Sequence, residues 1–153
     1  MIRLAQEYLA SLCQKDKLPL PTLEFLDIEK EMDAEWDFHA AMSVTEPYMM
    51  RINSNIFKLF KEAQEGPKDS YHFFGLRGEI DIPAEKGAEL TLKILIAHEY
   101  HHYRMTKRGR FFTTGELRAD LFARKELNLS LQEFRLLTEY FNDFLEDVHE
   151  GLR

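Results

Sequence analysis

Apolar positions along the chain switch between two periods, and the switches mark its elements. Ile2, Ala5, Leu9 and Leu12 recur at helical spacing until the two prolines of "KLPLP" stop them, which predicts an N-terminal helix. Leu23 and Phe25, then Phe38, Ala40, Met42 and Val44, alternate at period two and predict short strands, with the acidic stretch "EKEMDAEWD" between them. "YMMRIN" predicts a further strand paired to the second of these. Asn53 or Ser54 is then placed to cap a helix through Ile56, Leu59, Phe60 and Ala63 that ends at Gly66-Pro67. "YHFFGLRGEIDIP" is expected to form one more strand, weakened by Gly75 and Gly78. After it the period is helical in three segments, "AEKGAELTLKILIAHEYHHY", "GELRADLFARKEL" and "LQEFRLLTEYFNDFLEDVH", the last opened by a Ser130-x-x-Glu133 capping box. The expectation is an α+β fold. An N-terminal helix and a small mixed or antiparallel sheet precede an active-site helix and C-terminal helices, in a single domain over residues 1–153.

Composition narrows the function classes. The chain has 153 residues, 44% of them hydrophobic, and a net charge of −7, so it is read as globular and not as a general nucleic-acid or membrane-surface binder. Its single cysteine, Cys13, excludes an internal disulfide framework and a cysteine-based zinc ribbon. Any metal must therefore be held by histidine and carboxylate. The N-terminal "MIRLAQEYLASLC" carries Arg3 and Glu7 where an export signal needs an unbroken apolar core, and the longest apolar run, "ILIA", is too short to span a bilayer. A soluble cytoplasmic protein is expected.

The candidate chemistry lies in "AHEYHHYR", residues 97 to 104. On a helix, His98 and His102 stand about 40° apart on one face and one turn apart along the axis, so both imidazoles can reach one ion. Glu99 lies about 100° from His98, close enough to hold an activated water without ligating the ion. Ile94 and Leu95 continue that face upstream and turn the histidines toward the core. Catalytic zinc sites generally use three protein ligands, and "GELRADLFA" offers Glu116 and Asp120 one turn apart. Ala119 and Ala123 share their face and allow close approach of the two helices. Glu116 is the candidate third ligand. Asp120 is placed to accept a proton from the far nitrogen of His98 or His102 and so fix its tautomer.

These residues resemble a family. "HEYHH" followed by "ELRADLFA" is similar to the HExxH and ExxAD/N-x-F-A pair of gluzincin metallopeptidases, in particular the ImmA/IrrE-like group. The resemblance implies a minimal zincin-like domain with His98, His102 and Glu116 as zinc ligands, Glu99 as general base and Asp120 behind the ligands. It further implies hydrolysis of a peptide bond in a specific cytosolic protein, with a transcriptional repressor as the leading candidate substrate.

Other readings stand beside this one. Thr113-x-x-Glu116 fits a capping box, which needs no metal. His39, His72 and His149 are read as structural, His101 as a neighbour of the ligands, and Tyr100 and Tyr103 as packing residues. The basic stretch "YRMTKRGR" is read as a solvated connection. Glu99-x-x-His102 and Glu146-x-x-His149, with Glu7 and Glu116, would suit a di-iron carboxylate bundle. A non-enzymatic, metal-stabilised binding module is a third alternative. For peptide hydrolysis a donor to the developing oxyanion is also expected, and spacing does not choose among Tyr103, Tyr140 and His149. The strand from Phe74 to Ile82 is a candidate edge for an extended peptide substrate.

Overall fold

The protein is described by a computed structural model covering residues 1–27, 39–66, 70–75, 78–110 and 115–152, with side chains described throughout except at 70–75 and 78–79. Phe38, the acidic stretch after residue 27 and Thr113 lie outside the described residues.

Helix α1 (Ile2–Asp16) buries Ala5, Leu9, Leu12 and Cys13 and ends where Lys17 turns left-handed (φ 53°) ahead of Pro19 and Pro21. A three-stranded sheet follows, built from β1 (Thr22–Leu26), β2 (Ala40–Met42) and β3 (Met49–Asn53). The strand β3 is central. It pairs in parallel with β1 (Leu23 opposite Met50) and antiparallel with β2 (Ala41 opposite Arg51), so the sheet is mixed and, among the described residues, β1 and β2 are its edges. Val44 falls beyond β2 and is exposed. Helix α2 (Ile56–Glu65) packs Ile56, Leu59 and Ala63 inward. Its N-cap is Asn55, one or two positions later than expected, because the Asn53 side chain accepts from the Asn55 amide at 3.0 Å and turns the chain before the helix begins.

The segment expected as one strand is a hairpin. Strands β4 (Ser70–Gly75) and β5 (Gly78–Pro83) pair antiparallel with Gly75 opposite Gly78, so the two glycines flank a two-residue connection and are not weak points within one strand. β5 runs directly into the long helix α3 (Ala84–Lys107).

Helix α3 is the axis of the fold, packed against α1, α2, β2, β3 and both later helices. It buries residues around most of its circumference, among them Leu92, Ile96 and Tyr100, which are fully inaccessible. Each such side chain contributes on the order of 1.5–3 kcal/mol through lost apolar hydration. Tyr100 and Tyr103 do act in packing, and their hydroxyls are satisfied: Tyr100 donates to the Leu12 carbonyl or the Asp16 carboxylate, and Tyr103 to the Pro19 carbonyl. Helix α4 (Glu116–Glu126) lies against α3 through Ala119 and Ala123, both at zero exposure. Helix α5 (Leu131–His149) opens on the expected capping box, with the Ser130 hydroxyl accepting from the Glu133 amide at 3.1 Å and the Glu133 carboxylate from the Ser130 amide at 2.9 Å. The fold is α+β, as expected. Among the described residues no helix is long and apolar enough to cross a membrane.

The basic stretch is not a free patch. α3 continues through Lys107, Arg104 and Arg108 pair with Asp16 at 3.7 and 3.3 Å, and Arg104 covers the Phe122 ring at 4.3 Å. Lys107 sits 5.0 Å from the centre of the Tyr48 ring.

Candidate metal centre

All five candidate site residues come from two helices held together by alanines. The small side chains of Ala119 and Ala123 let α4 approach the α3 face that carries His98 and His102, so Glu116 and Asp120 both reach across. Glu116 oxygens lie 2.8 Å from His98 Nε2 and 3.0 Å from His102 Nε2, and the two Nε2 atoms are 3.3 Å apart. Donors about 2.0–2.1 Å from a tetrahedral ion stand roughly 3.3 Å from one another. The spacing fits a metal, and His98, His102 and Glu116 form a group able to hold one.

The donor chemistry points the same way. Asp120 Oδ1 lies 2.7 Å from His98 Nδ1, and since a carboxylate can only accept, the proton of a neutral His98 that binds a metal through Nε2 is held on Nδ1. His98 Nε2, the Glu116 oxygens and His102 Nε2 converge on one point. A proton satisfies one pair at a time, whereas a divalent ion satisfies all three. Titration of the histidines reflects this competition. Burial opposes charging His98, but the bond to Asp120 and the charges of Glu99 and Glu116 outweigh it and raise its pKa. Burial and the neighbouring His98 lower that of His102.

Glu99 stands beside the cluster without joining it, its Oε1 3.9 Å from His98 Nε2. Burial pushes its pKa from the ordinary 4.5 to about 7, with His98 lowering it and Glu116 adding to the rise. A carboxyl poised near neutrality suits a group that must take up a proton and give it back.

That shift gives a testable pH dependence for the metal-free protein. The folded pKa lies above the unfolded one, so the stability contribution is fully present below about pH 4.5 and lost as pH rises through 7. Glu99→Gln cannot ionise, and in chelator-treated protein it should be more stable than wild type at pH 8 by on the order of 1–3 kcal/mol, with the gap closing toward pH 4.5. Denaturant unfolding of both proteins at the two pH values reads this directly. A gap independent of pH would mean that Glu99 is not held in a charge-disfavouring site.

The capping alternative for Glu116 is not what the fold uses. The N-cap of α4 is Gly115, which makes Glu116 the first helical residue and not the third, and its side chain turns to the histidines. The Glu116 side chain is 77% exposed, so the centre opens to solvent on that side. His101 is a neighbour, as expected: its ring lies 5.3 Å from that of Phe122, and burial, then Arg104 and the two other histidines, push its pKa down to about 4. Among the described residues the helices do not form the bundle a di-iron site needs: a mixed sheet stands between α1 and α2, and Glu7 is an exposed partner of Arg3.

A cleft of about 400 Å³ opens on the cluster, with Ile94 and Leu95 upstream of His98 and Glu99. Its other walls are His39 and Ala40 from the β2 side and Phe134, Thr138 and Asn142 from α5. Sequence reasoning missed these. The α5 residues recur at every fourth position and could be read as a helical stripe, but nothing in the sequence ties that stripe to His98. His39, expected to be structural, packs against Phe141 and lies in the cleft wall. Tyr103 is committed to Pro19, and Tyr140 and His149 do not line the cleft.

No family model, curated protein or solved structure matches the chain.

Proposed function

We propose that the protein is a zinc-dependent endopeptidase of narrow specificity, acting in the cytoplasm. The observation that carries this reading is the convergence of His98 Nε2, His102 Nε2 and a Glu116 carboxylate to within metal-binding distances, with a near-neutral carboxyl, Glu99, at the edge of the same cleft. The resemblance of "HEYHH" and "ELRADLFA" to gluzincin motifs supports zinc over other ions and a protein substrate, with a transcriptional repressor as the leading candidate.

Zinc held by these three side chains supplies Lewis acidity, which acidifies water and polarises a carbonyl. The chain supplies the rest. Glu99 removes a proton from water as its oxygen bonds to the scissile carbonyl carbon, and the carbonyl π pair moves onto oxygen. As that pair re-forms the carbonyl, the C–N bond breaks and Glu99 returns the proton to the leaving nitrogen. One water has been added across the peptide bond. Asp120 keeps the His98 proton on Nδ1 throughout.

Substrate alignment falls to β2. The His39 carbonyl and the Ser43 amide bond toward β3, so by the alternation of an antiparallel ladder the backbone groups of Ala40 and Met42 face outward. Ala40 lines the cleft, and an extended peptide paired along this edge passes the cluster. On this reading the substrate edge is β2, because Ala40 lines the cleft, in preference to the Phe74–Ile82 segment.

The trap experiment tests the reading. Zinc-loaded Glu99→Gln should retain a substrate protein that His98→Ala does not, and wild type should cut that protein into one or two fragments unless a chelator is present. If both variants capture the same protein equally and wild type leaves it whole, the domain is a non-enzymatic binding module.

A further inference from the structure

We propose that Arg104 is a positioning residue of the metal centre: held by Asp16, it seats the Phe122 ring and thereby fixes where α4 places Glu116 and Asp120. The inference rests on the metal centre of the proposed function and not on peptide cleavage. It gives a role to residues of α1 and α3 that are no part of the donor set.

Helix α4 meets the rest of the protein mainly through α3. Ala119 and Ala123 let the two helices come close, but their methyl groups make a flat contact that does not fix tilt. Leu117 and Leu121 point to solvent, which leaves Phe122 as the large side chain that ties α4 to α3. Its ring lies 5.3 Å from that of His101 and 6.0 Å from that of Tyr100, and the Arg104 guanidinium covers it at 4.3 Å. These three walls are interleaved along α3 with His98 and His102. Socket and histidine ligands are thus carried by one helix.

Leverage makes the seat matter. Glu116 is six residues from Phe122, about 9 Å along the axis, so a tilt of about 10° about the ring carries its carboxylate by roughly 1.5 Å. Metal donors tolerate about 0.2 Å. The socket is in turn held by α1. The Asp16 carboxylate accepts from the Tyr100 hydroxyl at 2.6 Å and lies 3.7 Å from Arg104 Nη1, so one acidic side chain orients two of the three walls. Arg104 Nη2 stands 3.4 Å from Nδ1 of the third wall, His101. Direct contacts therefore run from α1 through Arg104 and Phe122 to the helix that carries the carboxylate ligand.

The test measures zinc affinity by chelator competition in wild type, Asp16→Asn, Arg104→Met, Phe122→Leu and the Arg104→Met/Phe122→Leu double variant, each shown to be folded by circular dichroism. Arg104→Met keeps the aliphatic stem but loses the guanidinium, and should bind zinc about tenfold more weakly, with Asp16→Asn about threefold weaker. In the Phe122→Leu background Arg104→Met should cost less than about twofold more, because both changes act through one contact. With cobalt(II) in place of zinc, the visible absorption of Arg104→Met should move toward that of Glu116→Ala, which lacks the α4 donor. A contact that only stabilises the fold would lower the stability of metal-free and metal-loaded protein alike and leave affinity and spectrum as in wild type. That result, or losses that simply add in the double variant, overturns the role. Where Arg104→Met does not fold, the isosteric Asp16→Asn decides, and wild-type zinc affinity in it overturns the role. If wild type itself binds no zinc, the metal centre fails and this role with it, whereas wild-type binding that all the variants share removes only the role of Arg104.

Discussion

Glu116→Ala is expected to weaken zinc binding by at least about a hundredfold, and His98→Ala by a similar factor, because each removes one of three donors around a common point. Neither change should unfold the protein. Glu116 is largely exposed and its backbone is the first turn of α4, whose packing on α3 rests on Ala119 and Ala123. Asp120→Ala should fall between these variants and wild type, at about 10–100-fold, since it leaves the donors in place but frees the His98 ring to turn and change tautomer. Thr113→Ala should leave affinity unchanged. Competition against a chromophoric chelator measures all four, and metal analysis of the purified protein should find about one zinc per chain. Two irons per chain would support a di-iron centre instead. If Glu116→Ala and Thr113→Ala destabilised the fold equally and left zinc bound, Glu116 would be a capping residue after all.

The helical half of the fold and its candidate ligands were legible because each rests on local rules. Helical periodicity placed α3, α4 and α5, the Ser130-x-x-Glu133 pattern opened α5, and a four-residue spacing put His98 and His102 on one face. The alanines of α4 announced the close contact that brings Glu116 and Asp120 across. What stayed illegible depends on long-range pairing. Nothing local to β1 says that it runs parallel to β3, and nothing in Gly75 and Gly78 distinguishes weak positions within one strand from the facing ends of two. His39 shows the limit most clearly. A single histidine has no spacing to read, and its place in the cleft follows only from where the sheet packs against α3 and α5. Thr113-x-x-Glu116 misled for the opposite reason, since a carboxylate near a helix start serves a cap and a metal equally well by sequence.

Glu99→Gln is the second large effect. The substitution keeps the size of the side chain and all three metal donors, so zinc affinity should stay within a few-fold of wild type. It removes the group that takes the proton from water and passes it to the leaving nitrogen, and cleavage should fall by on the order of a hundredfold or more. Only a catalytic Glu99 separates these two outcomes, because a structural or purely metal-stabilised domain has no step that needs a base. The decisive measurement is the appearance of new N-termini, read by mass spectrometry, when zinc-loaded protein is incubated with the partner captured by Glu99→Gln. Wild type should produce one or two defined cuts that vanish on chelation and return with one equivalent of zinc, and Glu99→Gln should produce almost none. Cuts of equal rate in wild type and pure Glu99→Gln protein would contradict the account.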